Sequence, residues 1–308
     1  SNVTIDPNAT STAGDITIAA VTGGSNTLTL STGNNIANSD ITASGDINGV
    51  TTLTLADVGG TASFSADVDV TTLTVGNTVA NVSLTGSGSS VTNAVTFGND
   101  GTLTIGDASG DTFTFDGGLT VSTASSTLAG SIDSSNDVIS FGAITLAAAT
   151  TIDTNATNTT GDVTIGAVTG NNNNLTLDTT ASTGSADHTF TGDINLGSGA
   201  LSVIGDVVLG ANVSVTATGG ITFSDAINAD NASSNDRTLT LSSGTGSTIS
   251  VVGTVGNSQA LAGLTITQSN GTTFSNTVDV SDSGSGTITL TDTENNSNIV
   301  FSNNVTAD

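Results

Sequence analysis

One short pattern recurs along the whole chain: two aliphatic or aromatic residues separated by a threonine. It is spelled Ile16-Thr17-Ile18, Leu28-Thr29-Leu30, Leu53-Thr54-Leu55, Leu73-Thr74-Val75, Leu103-Thr104-Ile105 and Phe113-Thr114-Phe115 in the first half. In the second it is Val163-Thr164-Ile165, Leu175-Thr176-Leu177, Ile221-Thr222-Phe223, Leu239-Thr240-Leu241, Leu264-Thr265-Ile266 and Ile288-Thr289-Leu290. Successive residues of a strand face opposite sides, so each triplet buries its two apolar members and turns its threonine outward. About 25 such strands, spaced roughly 9–13 residues apart, are expected, a rhythm that belongs to an all-β chain.

Helix has little to draw on. Lysine, methionine, cysteine, tryptophan and tyrosine are absent, and Arg237 and Glu294 stand alone in their kinds. The strong helix formers are therefore nearly missing, while Thr, Val and Ile favour the pleated backbone. Gly, Asn, Asp and Ser supply turns. Gly-Asp precedes strands at Gly14-Asp15, Gly45-Asp46, Gly161-Asp162, Gly192-Asp193 and Gly205-Asp206. There the glycine is expected to take a positive φ, and the aspartate to bond its own downstream N–H groups.

A longer repeat overlies the short one. Residues 14–30 read GDITIAAVTGGSNTLTL and residues 161–177 read GDVTIGAVTGNNNNLTL, an offset of 147 residues. The chain is read as one continuous solenoid over 1–308, with an internal duplication of 14–160 and 161–308. Two architectures suit so many short strands: a right-handed parallel β-solenoid, or tandem β-sandwich domains. A sandwich core is about 10 Å thick and favours large aromatics. With nine Phe as the only aromatic residues, the narrow interior of a solenoid fits better. Two or three strands per coil give roughly 20–32 residues per coil and about 10–15 coils.

The GDITI and GDVTI corners, the threonine-alternating strands and the cysteine-free, lysine-poor composition resemble the repetitive surface exoproteins of bacteria, of the filamentous-haemagglutinin-like and autotransporter-passenger kind. The likeness is one of composition and extends over most of the chain, without a diagnostic motif or a secretion domain. It implies a right-handed β-solenoid shaft displayed at the cell surface for adhesion or matrix building. Bacterial surface-layer lattice proteins share the bias and stand as the alternative.

The formal net charge is −26. Nucleic acid and anionic membrane both call for Lys/Arg footprints, so neither is expected as a partner. No run of 18 apolar residues is present to span a bilayer. No leader is recognisable at Ser1, and the chain reads as a mature form or an excised piece. Partners are expected among further copies or neighbouring repeats of the same protein, with surface glycans as the other class. A single trypsin-type site, Arg237, suits an extracellular setting.

Candidate chemistry is sparse, and an enzyme is not expected. His188 reads as an ordinary surface histidine: Asp187 beside it faces the other way on a strand, and no second His or Cys joins it as a metal ligand. Paired carboxylates could serve a glycosidase, but aromatic and cationic side chains to hold a sugar are scarce. No cofactor is required, and calcium is the one candidate, because it takes six to eight oxygens from carboxylates and carbonyls. Asp67 and Asp69, outward on Asp-Val-Asp-Val with Val68 and Val70 inward, and the pair Asp107 and Asp111, are its candidate ligands. Outward Thr-x-Thr rows such as Thr102-Leu103-Thr104 raise an ice-binding reading, though outward threonine is what any soluble strand carries.

Overall fold

A computed structural model describes the chain except residues 8–10, 34–35, 123–124, 156–159, 180–185, 231–236, 282–285, 292–296 and 308. Thirty-four strands are described, with no helix among the described residues. Every described strand pairing is parallel, which sets aside the antiparallel sandwich. The fold is a parallel β-solenoid of about 11 turns. Strands outnumber the expectation because many are written without the Thr-centred triplet, such as Asn81–Leu84 (NVSL) and Gly88–Val91 (GSSV).

The chain divides by its contacts into two units, Ser1–Ala148 and Ala149–Asp308. In the first, strand partners align like with like. Ile16, Ile41, Ala62, Val82 and Leu103 form one inward column, and Ile18, Ala43, Phe64, Leu84 and Ile105 its neighbour. On another face Val50, Val70, Val91 and Phe115 stack, and on the third Leu28, Leu53 and Leu73. Residues between them, such as Thr17 and Thr42, are exposed. The alternation therefore sorts side chains as the triplets require, and each apolar column lies in the dry interior.

The second unit repeats this plan. Leu177, Val203, Phe223, Val251, Phe274 and Phe301 make one column. Val163, His188, Val207 and Ile227 begin another. Partners in these columns stand 19 to 28 residues apart, which is the length of a turn. The interior is wide enough for phenylalanine. Phe64, Phe97, Phe113, Phe115, Phe190, Phe223 and Phe274 are all buried, and Phe274 stacks on Phe301 at 4.9 Å.

The corners differ from expectation in an instructive way. All five Gly-Asp aspartates reach forward to the next turn instead of bonding their own. Asp15, Asp46, Asp162, Asp193 and Asp206 each accept through Oδ1 from the backbone N–H of Asp40, Asp67, Asp187, Ser214 and Ala226, 20 to 25 residues ahead. Asparagine does the same: Asn81 Oδ1 accepts from Thr102 N–H, and Asn212 Oδ1 from Thr238 N–H. Hydroxyls bond backwards, Thr191 Oγ1 donating to Ile165 O and Ser122 Oγ to Phe97 O. The Asp and Asn oxygens thus meet backbone N–H groups at the corners, while the hydroxyls add a second bond to carbonyls that already accept a backbone N–H.

The glycines of these corners answer mainly to close approach. A Cβ on Gly45 would stand 1.7 Å from Ala19 O, and one on Gly192 2.5 Å from Ala167 N, both in the turn beneath. Only Gly205, at φ +117°, also needs the conformational freedom first expected.

Candidate functional site

Asp67 and Asp69 lie where the alternation puts them. Val68 and Val70 are buried, and Asp69 is exposed. Asp67 Oδ1 accepts from Gly88 N–H at 2.8 Å, as another rung-to-rung brace. Partial burial, then the neighbouring Asp67 and Asp46 carboxylates, hold the Asp69 carboxyl above its ordinary value. Asp69 borders a groove of about 420 Å³ whose other walls are largely hydroxyls, including Ser25, Thr51, Thr71, Ser90 and Thr92.

Asp107 and Asp111 are a different kind of pair. Asp111 is buried, and its Oδ2 accepts from both Asp107 N–H and Ala108 N–H at 2.9 Å. It closes the turn between Ile105 and Thr112. Asp107 itself is exposed. The two pairs are not brought together. Asp69 is level with Ser90, and Gly88 with Thr112, so two rungs separate Asp67 from the Asp111 corner, roughly 9–10 Å along the stack. Among the described residues no three His, Cys, Asp or Glu side chains converge as metal ligands. Asp111→Ala should therefore act through the turn. The loss of two charge-assisted bonds is expected to destabilise this corner by about 1–3 kcal/mol, equally with and without a calcium chelator, as read by thermal melting.

A third acidic group was not singled out in the sequence. Asp162 and Asp187 occupy successive turns, joined by the Asp187 N–H to Asp162 Oδ1 bond, and Asp206 lies level with Asp187 in the strand pairing. This column borders a groove of about 430 Å³ also lined by Val208, Asn228 and Gln259. Burial first, then the Asp162 and Asp206 carboxylates, push the Asp187 carboxyl up to about 6. The offset of 147 residues could have flagged the group, since Asp162 and Asp187 answer to Asp15 and Asp40.

A raised folded value means the ionised form is penalised. The penalty is present above pH 6 and is relieved as pH falls from 6 toward 3.8. Asp187→Asn should thus stabilise the protein at pH 7. Solvent screening of this half-exposed group limits the gain to about 1 kcal/mol, and the advantage should vanish near pH 4 in denaturant titrations at the two pH values.

His188 is the clearest departure from expectation. It is fully buried, not a surface residue, and takes an inward place on the strand Asp187–Phe190 between Val163 and Val207. Its Nε2 stands 3.0 Å from Ile204 O and 3.1 Å from Thr179 Oγ1. A carbonyl can only accept, so Nε2 carries the proton. The Thr179 hydroxyl donates to Ala186 O at 3.1 Å, as Thr32 Oγ1 does to Ser39 O in the first unit. The lone arginine, Arg237, makes a two-pronged pair with Asp230, Nε to Oδ1 at 3.0 Å and Nη2 to Oδ2 at 2.6 Å.

Comparison with family models, curated proteins and solved structures finds no match to this chain. No described helix is long and apolar enough to cross a membrane.

Proposed function

We propose that this chain is a structural or adhesive module of a cell surface, a shaft, fibre or filament subunit whose role is mechanical. The observation that carries the reading is the double lacing of each turn to the next. Parallel backbone ladders join successive turns, and at the corners carboxyl and amide oxygens reach forward while hydroxyls reach back. Within each unit a pull along the stack is resisted by many bonds at once, over an apolar interior. Scarcity of Lys and Arg supports exposure to proteases outside the cell. The composition shared with bacterial surface exoproteins supports display there, with further copies or neighbouring repeats as partners.

The test is electron microscopy of the intact producing cell with antibody-gold labelling of this chain. Label along surface fibrils is expected. A regular lattice would favour the surface-layer reading, and label confined to the cell interior would overturn both. The hydroxyl-lined groove at Asp69 favours a second reading, a glycan-binding adhesin, because hydroxyls and a carboxylate can pair with sugar hydroxyls. Glycan-array binding that is lost in Asp69→Ala would support it.

A further inference from the structure

We propose that His188 makes its part of the second unit acid-sensitive, so that a proton taken up at Nδ1 loosens the strand Asp187–Phe190 from its neighbours at mildly acidic pH. The geometry leaves this proton no good place. Nε2–H is already committed to Ile204 O, and Nδ1 is buried with no hydrogen-bond partner among the described residues. Neutral imidazole tolerates that, since its bare Nδ1 is only an unused acceptor. Imidazolium does not: protonation turns Nδ1 into a donor without an acceptor and places a charge in a column of valine and isoleucine.

The position is chemically singular. At the equivalent place 147 residues earlier stands Ile41, between Ile16 and Ala62. The flanking bonds recur at that offset: Asp15 to Asp40 N–H answers to Asp162 to Asp187 N–H, and Thr32 to Ser39 O answers to Thr179 to Ala186 O. The same corner is thus built once around an aliphatic side chain and once around a titratable one.

Among the described residues, the charged groups on the elements packed about His188 are carboxylates. Asp162 heads the strand Val163–Ile165 beside it, Asp206 heads Asp206–Leu209 on the other side, and Asp178 ends Leu175–Asp178 just before Thr179. Asp225 holds Gly205 N–H, and Asp187 precedes His188 on its own strand. Asp178, Asp206 and Asp225 favour the cation, as does the Ile204 carbonyl, but burial outweighs them and His188 stays below the ordinary histidine value.

The sign follows. The unfolded chain binds this proton near pH 6.5 and the folded chain more weakly, so the contribution is intact above 6.5 and is lost as pH falls below it. Asp187 works oppositely over nearly the same range, as it is relieved below about 6. A global melting curve would mix the two, and Asp187 shares the strand of His188, so the histidine is read by its own ring signal and by the difference from His188→Ile.

The chain has a single histidine, so one ring signal reports on it in the full-length protein. Its NMR titration is expected to have a midpoint well below 6.5. Hydrogen exchange, corrected for intrinsic rates, should show protection of 187–190 and 201–209 falling up to about tenfold per pH unit below 6.5. The segments around Ile41 should not change in parallel. In His188→Ile the fall in protection of 187–190 below 6.5 should disappear, leaving only the opposite trend that Asp187 contributes. An ordinary titration near 6.5 with unchanged protection, or the same pH response in His188→Ile, would overturn the proposal. If that variant fails to fold, the wild-type ring titration and the contrast with the Ile41 region still decide.

Discussion

Replacing Phe64 by alanine should cost about 3–5 kcal/mol, the range for emptying a buried aromatic site. Phe64 is 1% exposed and sits directly between Ala43 and Leu84 in its column. Ala43 is the small partner, and the Phe64 ring is placed to fill the space a larger rung-mate would take. Little can collapse into the void, because each neighbouring backbone is fixed by its own ladder. Phe64→Leu, which nearly conserves volume, should cost less than about 1.5 kcal/mol. Phe301, half-exposed where it stacks on Phe274, should tolerate alanine better than Phe64. Repeat architectures couple each turn mainly to its neighbours, and long arrays depart from two-state unfolding. The loss should therefore appear as local opening of residues 41–84 in hydrogen exchange, ahead of any shift in the main transition. If Phe64→Ala and Phe301→Ala proved equally mild, burial in the columns would not be the source of stability argued here.

What could be read beforehand divides along a physical line. Alternation is local: the period of two at Ile16-Thr17-Ile18 or Leu53-Thr54-Leu55 dictates inside and outside without knowledge of the partner. The same rule placed Val68 and Val70 inward and Asp69 outward. Applied to Asp187-His188-Thr189-Phe190, it would also have placed His188 inward. The frame matches the aliphatic triplets, with histidine in the first apolar slot. Histidine was judged instead by its usual polarity, and the alternation won. The Gly-Asp corners were legible as corners but not in their bonds. Asp46 bonds Asp67 N–H 21 residues on, while Asp15 bonds Asp40 N–H 25 residues on. With turn length varying this much, no fixed spacing in the sequence betrays the partner. The step from Asp162 to Asp187 was open to the 147-residue offset, but Asp206 was not, since Gly59 stands at its counterpart, and Asp111 gave no sign that its carboxylate closes its own turn.

Gly45→Ala should destabilise the first unit by about 3 kcal/mol or more, beyond what ordinary overpacking costs. The added methyl would lie 1.7 Å from Ala19 O and 2.8 Å from Ala19 C. These are backbone atoms and cannot rotate aside as a side chain would. Relief requires the two turns to part at this corner, where Ser44 N–H donates to Ile18 O at 3.0 Å and Val21 N–H to Asp46 O at 2.8 Å. Parting them would strain both bonds and open the columns in which Ile18 meets Ala43 and Val21 meets Ile47. Gly110 is the control: a Cβ there meets nothing within 4 Å, and its φ lies outside the left-handed region. Gly110→Ala should be neutral or slightly stabilising, by up to about 1 kcal/mol, through the unfolded chain. Trypsin is a poor probe with one basic site, so thermolysin, which cuts beside aliphatic residues, is the better protease. Rapid cleavage near residues 16–47 is expected for Gly45→Ala and not for Gly110→Ala. Equal resistance of the two would mean that the turns at this corner are not in the close contact on which the stacked architecture depends.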